Sequence, residues 1–313
     1  MPILDLSNQS PAILVLAKYA LLAMLSLLIS ACTRTAEPTA ITASIQPLAM
    51  VASELTKNTS ISCCGIVASA EQYHHSSLAP SQVSAMKKAQ VLLLVGNENY
   101  AQKAKQLVHD DARLLSLADE VVAGQVATVE HGSGDADHKL TGATAHAWLN
   151  PQRMLIFAER LTNILSKDFP QQAAQLSKNM TEFRSDLLAS DATIAQILQP
   201  FTESQRHIRL IEVHKVLPEF ASYYGVEIFA AIRDENDRAM SSKAFSALAR
   251  QVSQSPEKYC LVSSEHDANE AVQMSEKLGA RSVTYPLFSP SNSPVTYSKY
   301  LQTIAERLRS CAI

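Results

Sequence analysis

Gln171–Leu198 reads QQAAQLSKNMTEFRSDLLASDATIAQIL. It contains no Gly or Pro. Leu176, Met180, Phe183 and Leu187 recur at spacings of four, three and four, and Ile194, Ile197 and Leu198 continue the stripe. That period predicts one amphipathic helix. About 28 residues at roughly 1.5 Å each give about 42 Å, longer than a typical globular helix. Its place near mid-chain predicts a rigid strut between two halves.

Working outward, each flank reads as an alternation of short apolar runs and helical patterns. On the amino side, Ala40–Ile45 reads as a strand, and Pro47 then opens a helix where its missing N–H costs nothing. A helix begins near Pro80-Ser81, and Val91–Val95 is an unbroken apolar strand stopped by Gly96. Another strand falls near Arg113–Leu117. Asn150-Pro151 reads as an N-cap followed by Pro at the first helical position, opening a helix striped by Leu155, Ala158, Leu161 and Leu165. On the carboxyl side, strands read at His207–Val213, Glu227–Ile232, Tyr259–Ser263 and Arg281–Tyr285. Helices follow to Tyr224-Gly225, over Ser242–Val252, over Ala268–Leu278 and over Val295–Ser310. The prediction is α/β, with two lobes, each a mostly parallel sheet flanked by helices, joined by one long strut helix. In such sheets ligands sit beyond the carboxyl ends of the strands.

The 313 residues carry 27 Lys+Arg against 30 Asp+Glu, a formal charge of −3, and 47% are apolar. That excludes a disordered chain. With no basic excess or stripe, it also argues against nucleic-acid binding. One short apolar run, Tyr19–Ile29, follows Lys18 and precedes Ser30-Ala31-Cys32. It is about half the roughly 20 residues needed to span a bilayer. A positive flank, a short apolar core and small residues describe an export signal. Ile29-Ser30-Ala31-Cys32 resembles the lipobox of bacterial lipoproteins, which implies a lipid on Cys32. Ordinary cleavage near Ala31, with Cys32 incidental, is the alternative. The expected divisions are a lipoprotein signal peptide over 1–31, a tether over 32–38, an N-terminal lobe over 39–168, a linking helix over 169–200 and a C-terminal lobe over 201–313.

Export lets disulfides persist. Cys63, Cys64, Cys260 and Cys311 allow three pairings. A vicinal Cys63–Cys64 bridge is strained, whereas Cys260–Cys311 would tie a late strand to the last helix and is favoured. Cys63 and Cys64 as thiolate ligands of a soft metal are the competing reading.

No Walker loop, GxSxG, HExxH or GxGxxG occurs. The residues that converge chemically are histidines: His74 and His75 ahead of the Pro80 helix, His146 ahead of Trp148-Leu149-Asn150-Pro151, and His214 after the apolar strand. Each falls at a mouth where an α/β sheet presents ligands. A lone histidine is more often structural, and spacing alone leaves that reading ahead.

A resemblance shifts the balance. Ser44-Ile45-Gln46-Pro47-Leu48, His74 six residues ahead of Pro80-Ser81, Leu94-Val95-Gly96, His146-Ala-Trp-Leu-Asn-Pro151, and Val213-His214 ahead of Tyr224-Gly225 are similar to segments of one family. It is the zinc-binding solute-binding proteins of bacterial ABC importers (ZnuA-like, cluster A-I, also called cluster 9), and the similarity runs over about Ile41 to Ile313. The resemblance implies His74, His146 and His214 as metal ligands and a disulfide between Cys260 and Cys311.

The chain departs from the family at several points. His75 replaces a common Asp or aromatic, Tyr100 stands where an acidic residue is usual, and Tyr285 stands where manganese- and iron-type members place an Asp ligand. Imidazole suits Zn²⁺, whereas carboxylates favour harder ions. Three His plus a water or one carboxylate form a tetrahedral zinc set. Glu265 is the first candidate for the fourth position and His75 the second. The segment holding His131, Asp135, Asp137 and His138 resembles a shortened metal-capture loop. Incidental surface histidines are its alternative.

The resemblance thus implies a monomeric, non-enzymatic receptor, periplasmic or at the cell surface and anchored to a bacterial membrane through Cys32. It would bind Zn²⁺ as transported ligand between the lobes and deliver it to an ABC permease and its ATPase. A manganese or iron receptor of the same family, or a zinc-dependent hydrolase using three His and an open position, are the alternatives.

Overall fold

The strut sets the architecture. In the computed structural model, which describes residues 40–67, 73, 78–108, 113–118, 146–202, 208–234, 236–288 and 295–312, eight strands form two four-stranded sheets. The first holds β1 (Ile41–Ile45), β2 (Cys63–Val67), β3 (Val91–Leu94) and β4 (Arg113–Ser116), in the order β2-β1-β3-β4. The second holds β5 (Ile208–His214), β6 (Ile228–Arg233), β7 (Lys258–Ser264) and β8 (Arg281–Tyr285), in the order β6-β5-β7-β8. All six pairings between these strands are parallel. Both sheets therefore have the same topology, and each reverses direction beside its first strand. That switch point, between β1 and β3 and again between β5 and β7, is where such sheets leave a crevice.

Helices α1 (Gln46–Leu55), α2 (Pro80–Lys88), α3 (Ala101–Leu107) and α4 (Pro151–Asp168) belong to the first sheet. Helices α6 (Pro218–Tyr224), α7 (Ser242–Gln254), α8 (Ala268–Leu278) and α9 (Tyr297–Arg309) belong to the second. Between them runs α5, Ala173–Thr202, entered through a 3₁₀ turn at Pro170–Gln172. It passes Leu198 and continues through Pro200, because buried Phe201 extends the apolar stripe by one more turn. Among the described residues, no helix is long and apolar enough to cross a membrane.

The strut is bonded to both sides. Asn179 Nδ2 donates to the Leu55 and Lys57 carbonyls at 2.8 and 2.7 Å, satisfying the C-terminal end of α1. Ser190 Oγ donates to the Ser298 carbonyl at 3.0 Å, and Tyr223 Oη donates to Asp191 Oδ2 at 3.1 Å. One hydrophobic cluster runs from Ile41 and Leu93 through Phe157, Leu176, Leu187 and Ile194 to Val262 and Leu301. Strand alternation sends Ile211, Val213 and Leu261 to the other face, where they meet Leu248, Val252 and Ala271 of α7 and α8 in a second cluster.

Most elements lie within a residue or two of the sequence expectation. Two were not anticipated. Strand β2 is an edge strand without period-two hydrophobicity, and its Gly65 lets α1 approach so closely that a Cβ there would stand 3.1 Å from Ala49 Cβ. Helix α3 has no apolar stripe beyond Ala101 and Ala104. The Cys260–Cys311 disulfide is present, and Cys63 and Cys64 are free thiols. As successive strand residues they face opposite ways. Cys63 Sγ lies 3.6 Å from the Ala49 carbonyl and Cys64 Sγ 3.9 Å from Thr42 Oγ1. Burial pushes the Cys63 thiol up to about 12. The pair therefore neither bridges nor converges as thiolates on one metal.

The Glu54 carboxyl group links the two flanks. Glu54 Oε1 accepts from Tyr297 N, the first N–H of α9, at 2.6 Å. Burial raises its pKa to about 7 against the opposing pull of that hydrogen bond. A folded-state pKa above the unfolded value means the folded protein holds the extra proton, so stability falls as pH rises from about 4.5 to 7. Glu54→Gln keeps an acceptor for Tyr297 and removes the titration. It is expected to flatten the melting temperature against pH over that window and to raise stability at pH 8. A pH profile parallel to that of the wild type refutes this assignment.

Candidate metal centre

Two imidazoles from opposite flanks meet beside the carboxyl end of β5. His146 stands just before a 3₁₀ turn, Ala147–Leu149, that leads into α4. His214 is the last residue of β5, one position further into the strand than the sequence expectation placed its end. Their ring centroids lie 5.6 Å apart with planes at 84°, and both rings are buried, at 1% and 4% exposure. Two imidazoles ligating one tetrahedral Zn²⁺ through bonds of about 2.0–2.1 Å would hold their centroids about 5.2 Å apart. The observed separation suits a shared ion.

The segment carrying His146 is fixed from several directions. Asn150 caps α4, its side-chain oxygen accepting from Gln152 N at 3.0 Å and Arg153 N at 3.2 Å. Tyr297 Oη donates to the Trp148 carbonyl at 2.7 Å, Trp148 Nε1 donates to Tyr300 Oη at 3.4 Å, and Tyr300 Oη donates to the Leu287 carbonyl at 2.7 Å. Helix α9 of the second flank therefore holds the turn of the first. Tyr73 packs with its ring centroid 6.0 Å from His146 and 5.2 Å from Trp148.

On the other side, Glu212 shares the inward face of β5 with His214 and is fully buried. Its Oε1 accepts from Val216 N at 2.9 Å and Leu217 N at 2.7 Å, which fixes the turn from β5 to α6. Burial raises its pKa to about 7 despite those donors. Tyr285 ends β8 on the same face. Burial and the nearby Glu212 carboxyl push its phenol well above the ordinary value.

The first sheet supplies a second organised carboxylate, which the sequence reading missed. Glu98 is buried. Its Oε1 accepts from Ser44 Oγ at 2.5 Å and Val95 N at 2.7 Å, and its Oε2 accepts from Gly96 N at 2.7 Å. Gly96 makes this possible with a φ of +105°, and any Cβ there would meet Ser116 Oγ at 2.4 Å. Tyr100, which stands where the family usually has an acidic residue, turns its Oη to the Ser44 carbonyl at 3.4 Å. A Gly-x-Glu after a buried strand was the available signal.

Glu265 opens the 3₁₀ turn that follows β7 and is exposed. The buried carboxylate of that turn is Asp267, which accepts from Ser264 Oγ at 2.8 Å and pairs with Arg233. His74 and His75 lie outside the described residues, as do His131, Asp135, Asp137, His138 and Cys32. Among the described residues, no group of three His, Cys, Asp or Glu gathers to hold a metal ion.

Two parallel-sheet lobes, one long helix between them and paired imidazoles, one from each lobe, define a two-lobed solute-binding protein. Residues 41–311 match the family described as "Zinc-uptake complex component A periplasmic", and the chain belongs to that family of metal-binding periplasmic receptors. A high-affinity zinc uptake system protein ZnuA of Haemophilus ducreyi is 22% identical over 293 residues, covering 86% of this chain and 91% of its own. Among solved structures, a zinc-bound ZnuA lacking residues 138–173 of its own numbering superposes with a TM-score of 0.68 at 19% identity, over 87% of this chain and 97% of its own. A Cd-bound periplasmic metal-binding protein of Candidatus Liberibacter asiaticus gives 0.69 at 14% identity, over 87% and 99%.

Proposed function

We propose that this chain is a lipid-anchored extracytoplasmic receptor that captures Zn²⁺ between its lobes and delivers it, as a monomer, to an ABC permease and its ATPase. The observation that carries the reading is the 5.6 Å separation of the buried His146 and His214 rings. His74 is the third proposed ligand, supported by its neighbour Tyr73 packing on His146. Glu265 or His75 takes the fourth position, and the segment with His131, Asp135, Asp137 and His138 captures the ion first. Cys32 carries the anchor after removal of residues 1–31, residues 32–38 form the tether, and 39–168, 169–200 and 201–313 are lobe, linking helix and lobe.

The donor set favours zinc. Imidazole is a good zinc ligand, and His146 and His214 bring two imidazoles together. A manganese receptor is the competing reading, since a Mn-bound relative shares the fold with a TM-score of 0.68. Elemental analysis of the mature protein followed by competitive titration decides between them. Zinc is expected to outcompete manganese by more than a hundredfold, and equal affinities sink the zinc reading. Imidazoles bind a metal only when neutral, so zinc affinity is expected to fall steeply below about pH 6.5. A flat titration from pH 7.5 to 5.5 argues against histidine ligation.

A further inference from the structure

One buried ion pair joins the two ligand-bearing segments. Arg153, in the first turn of α4, donates from Nε to Glu219 Oε2 at 2.9 Å, with the two side chains only 2% and 7% exposed. Asn150, the cap of α4, donates to the same oxygen from Nδ2 at 3.4 Å. Glu219 lies in the first turn of α6, so the pair crosses from one lobe to the other. Arg153 is seven residues beyond His146, and Glu219 is five beyond His214. Little slack lies between. On the first side the chain is a 3₁₀ turn and a capped helix start. On the second, Glu212 holds the N–H groups of Val216 and Leu217.

We infer that Arg153 and Glu219 are positioning residues for the metal centre, setting the separation of His146 and His214 through the two rigid segments they join. The inference rests on the reading of those histidines as ligands. A buried ion pair contributes little stability over a well-packed apolar pair, because desolvation offsets the attraction. Its distinctive property is direction: a guanidinium and a carboxylate bond at defined angles and fix register. Metal sites accept ligand positions only within about 0.2 Å of ideal distances, so register here converts into affinity.

The test is zinc competition, the zinc dissociation rate and the visible spectrum of the Co²⁺ form, measured on the mature protein and on the double variant Arg153→Met/Glu219→Leu. The apolar replacement is expected to leave the metal-free melting temperature within a few degrees of the wild type. Zinc affinity is expected to fall at least tenfold, with faster dissociation and an altered Co²⁺ spectrum. Arg153→Lys should fall between the two. A folded double variant with unchanged affinity and spectrum overturns the inference, as does a loss of stability with binding intact. Should the double variant not fold, Glu219→Gln, which keeps the shape and an acceptor but not the charge, is read by the same criteria. His146→Ala separates the two levels. Zinc binding unaffected by His146→Ala removes the underlying site, whereas binding that depends on His146 but not on the ion pair removes only the positioning role.

Discussion

His146→Ala is expected to weaken zinc binding by about a hundredfold to a thousandfold, and His214→Ala by as much. Zinc held by a full protein set contributes roughly 10–16 kcal/mol near neutral pH, so one ligand of three or four carries about 3–4 kcal/mol. The two rings come from opposite lobes, so either loss also removes the bond that ties the lobes through the ion. Neither substitution should unfold the metal-free protein, because each leaves in place the contacts that fix its segment, the Asn150 cap of α4 on one side and the Glu212-held turn on the other. Calorimetric titration of both variants gives the measure. A change of less than threefold in either places the metal elsewhere. His74→Ala, tested alongside, decides whether the third ligand comes from the segment after Tyr73.

Removing the Cys260–Cys311 bridge is the second large effect. The bond joins the middle of β7 to the 3₁₀ turn after α9 across a sequence separation of 51. Closing a loop of that length reduces the disorder of the unfolded chain by about 4 kcal/mol in the chain-entropy account. Cys260→Ser with Cys311→Ser, or reduction of the native protein, is therefore expected to lower the melting temperature by about 8–15 °C. The site should feel the change, because α9 carries Tyr297 and Tyr300, which hold the Trp148 turn beside His146. Differential scanning calorimetry of the oxidised and reduced protein provides the check. A difference under 2 °C means the C-terminal helix is fixed by packing alone.

These expectations differ in how far the chain announces them. The alternation of short apolar runs with helical stripes is local, and so are the Asn150-Pro151 cap and the Gly225 stop. Each can be read within a few residues, because backbone geometry and side-chain period set it. The position of His214 is equally legible, since a polar residue directly after a buried strand stands at its mouth. Nothing periodic marks β2, whose half-exposed edge carries no alternating pattern, or Glu98, whose partners Ser44 and Gly96 were joined only by folding.

The amino-acid sequence by itself determined the two α/β series, the helix between them and the histidines at their ends, because hydrophobic period and turn chemistry act over one or two turns of chain. Tertiary structure alone decided that the apolar cluster runs unbroken through both lobes and that His146 and His214 face each other at 5.6 Å. It alone decided, too, that Arg153 meets Glu219 across 66 positions. Such pairings depend on how whole sheets and helices pack, and a buried charge finds its partner in space with no spacing rule to record it.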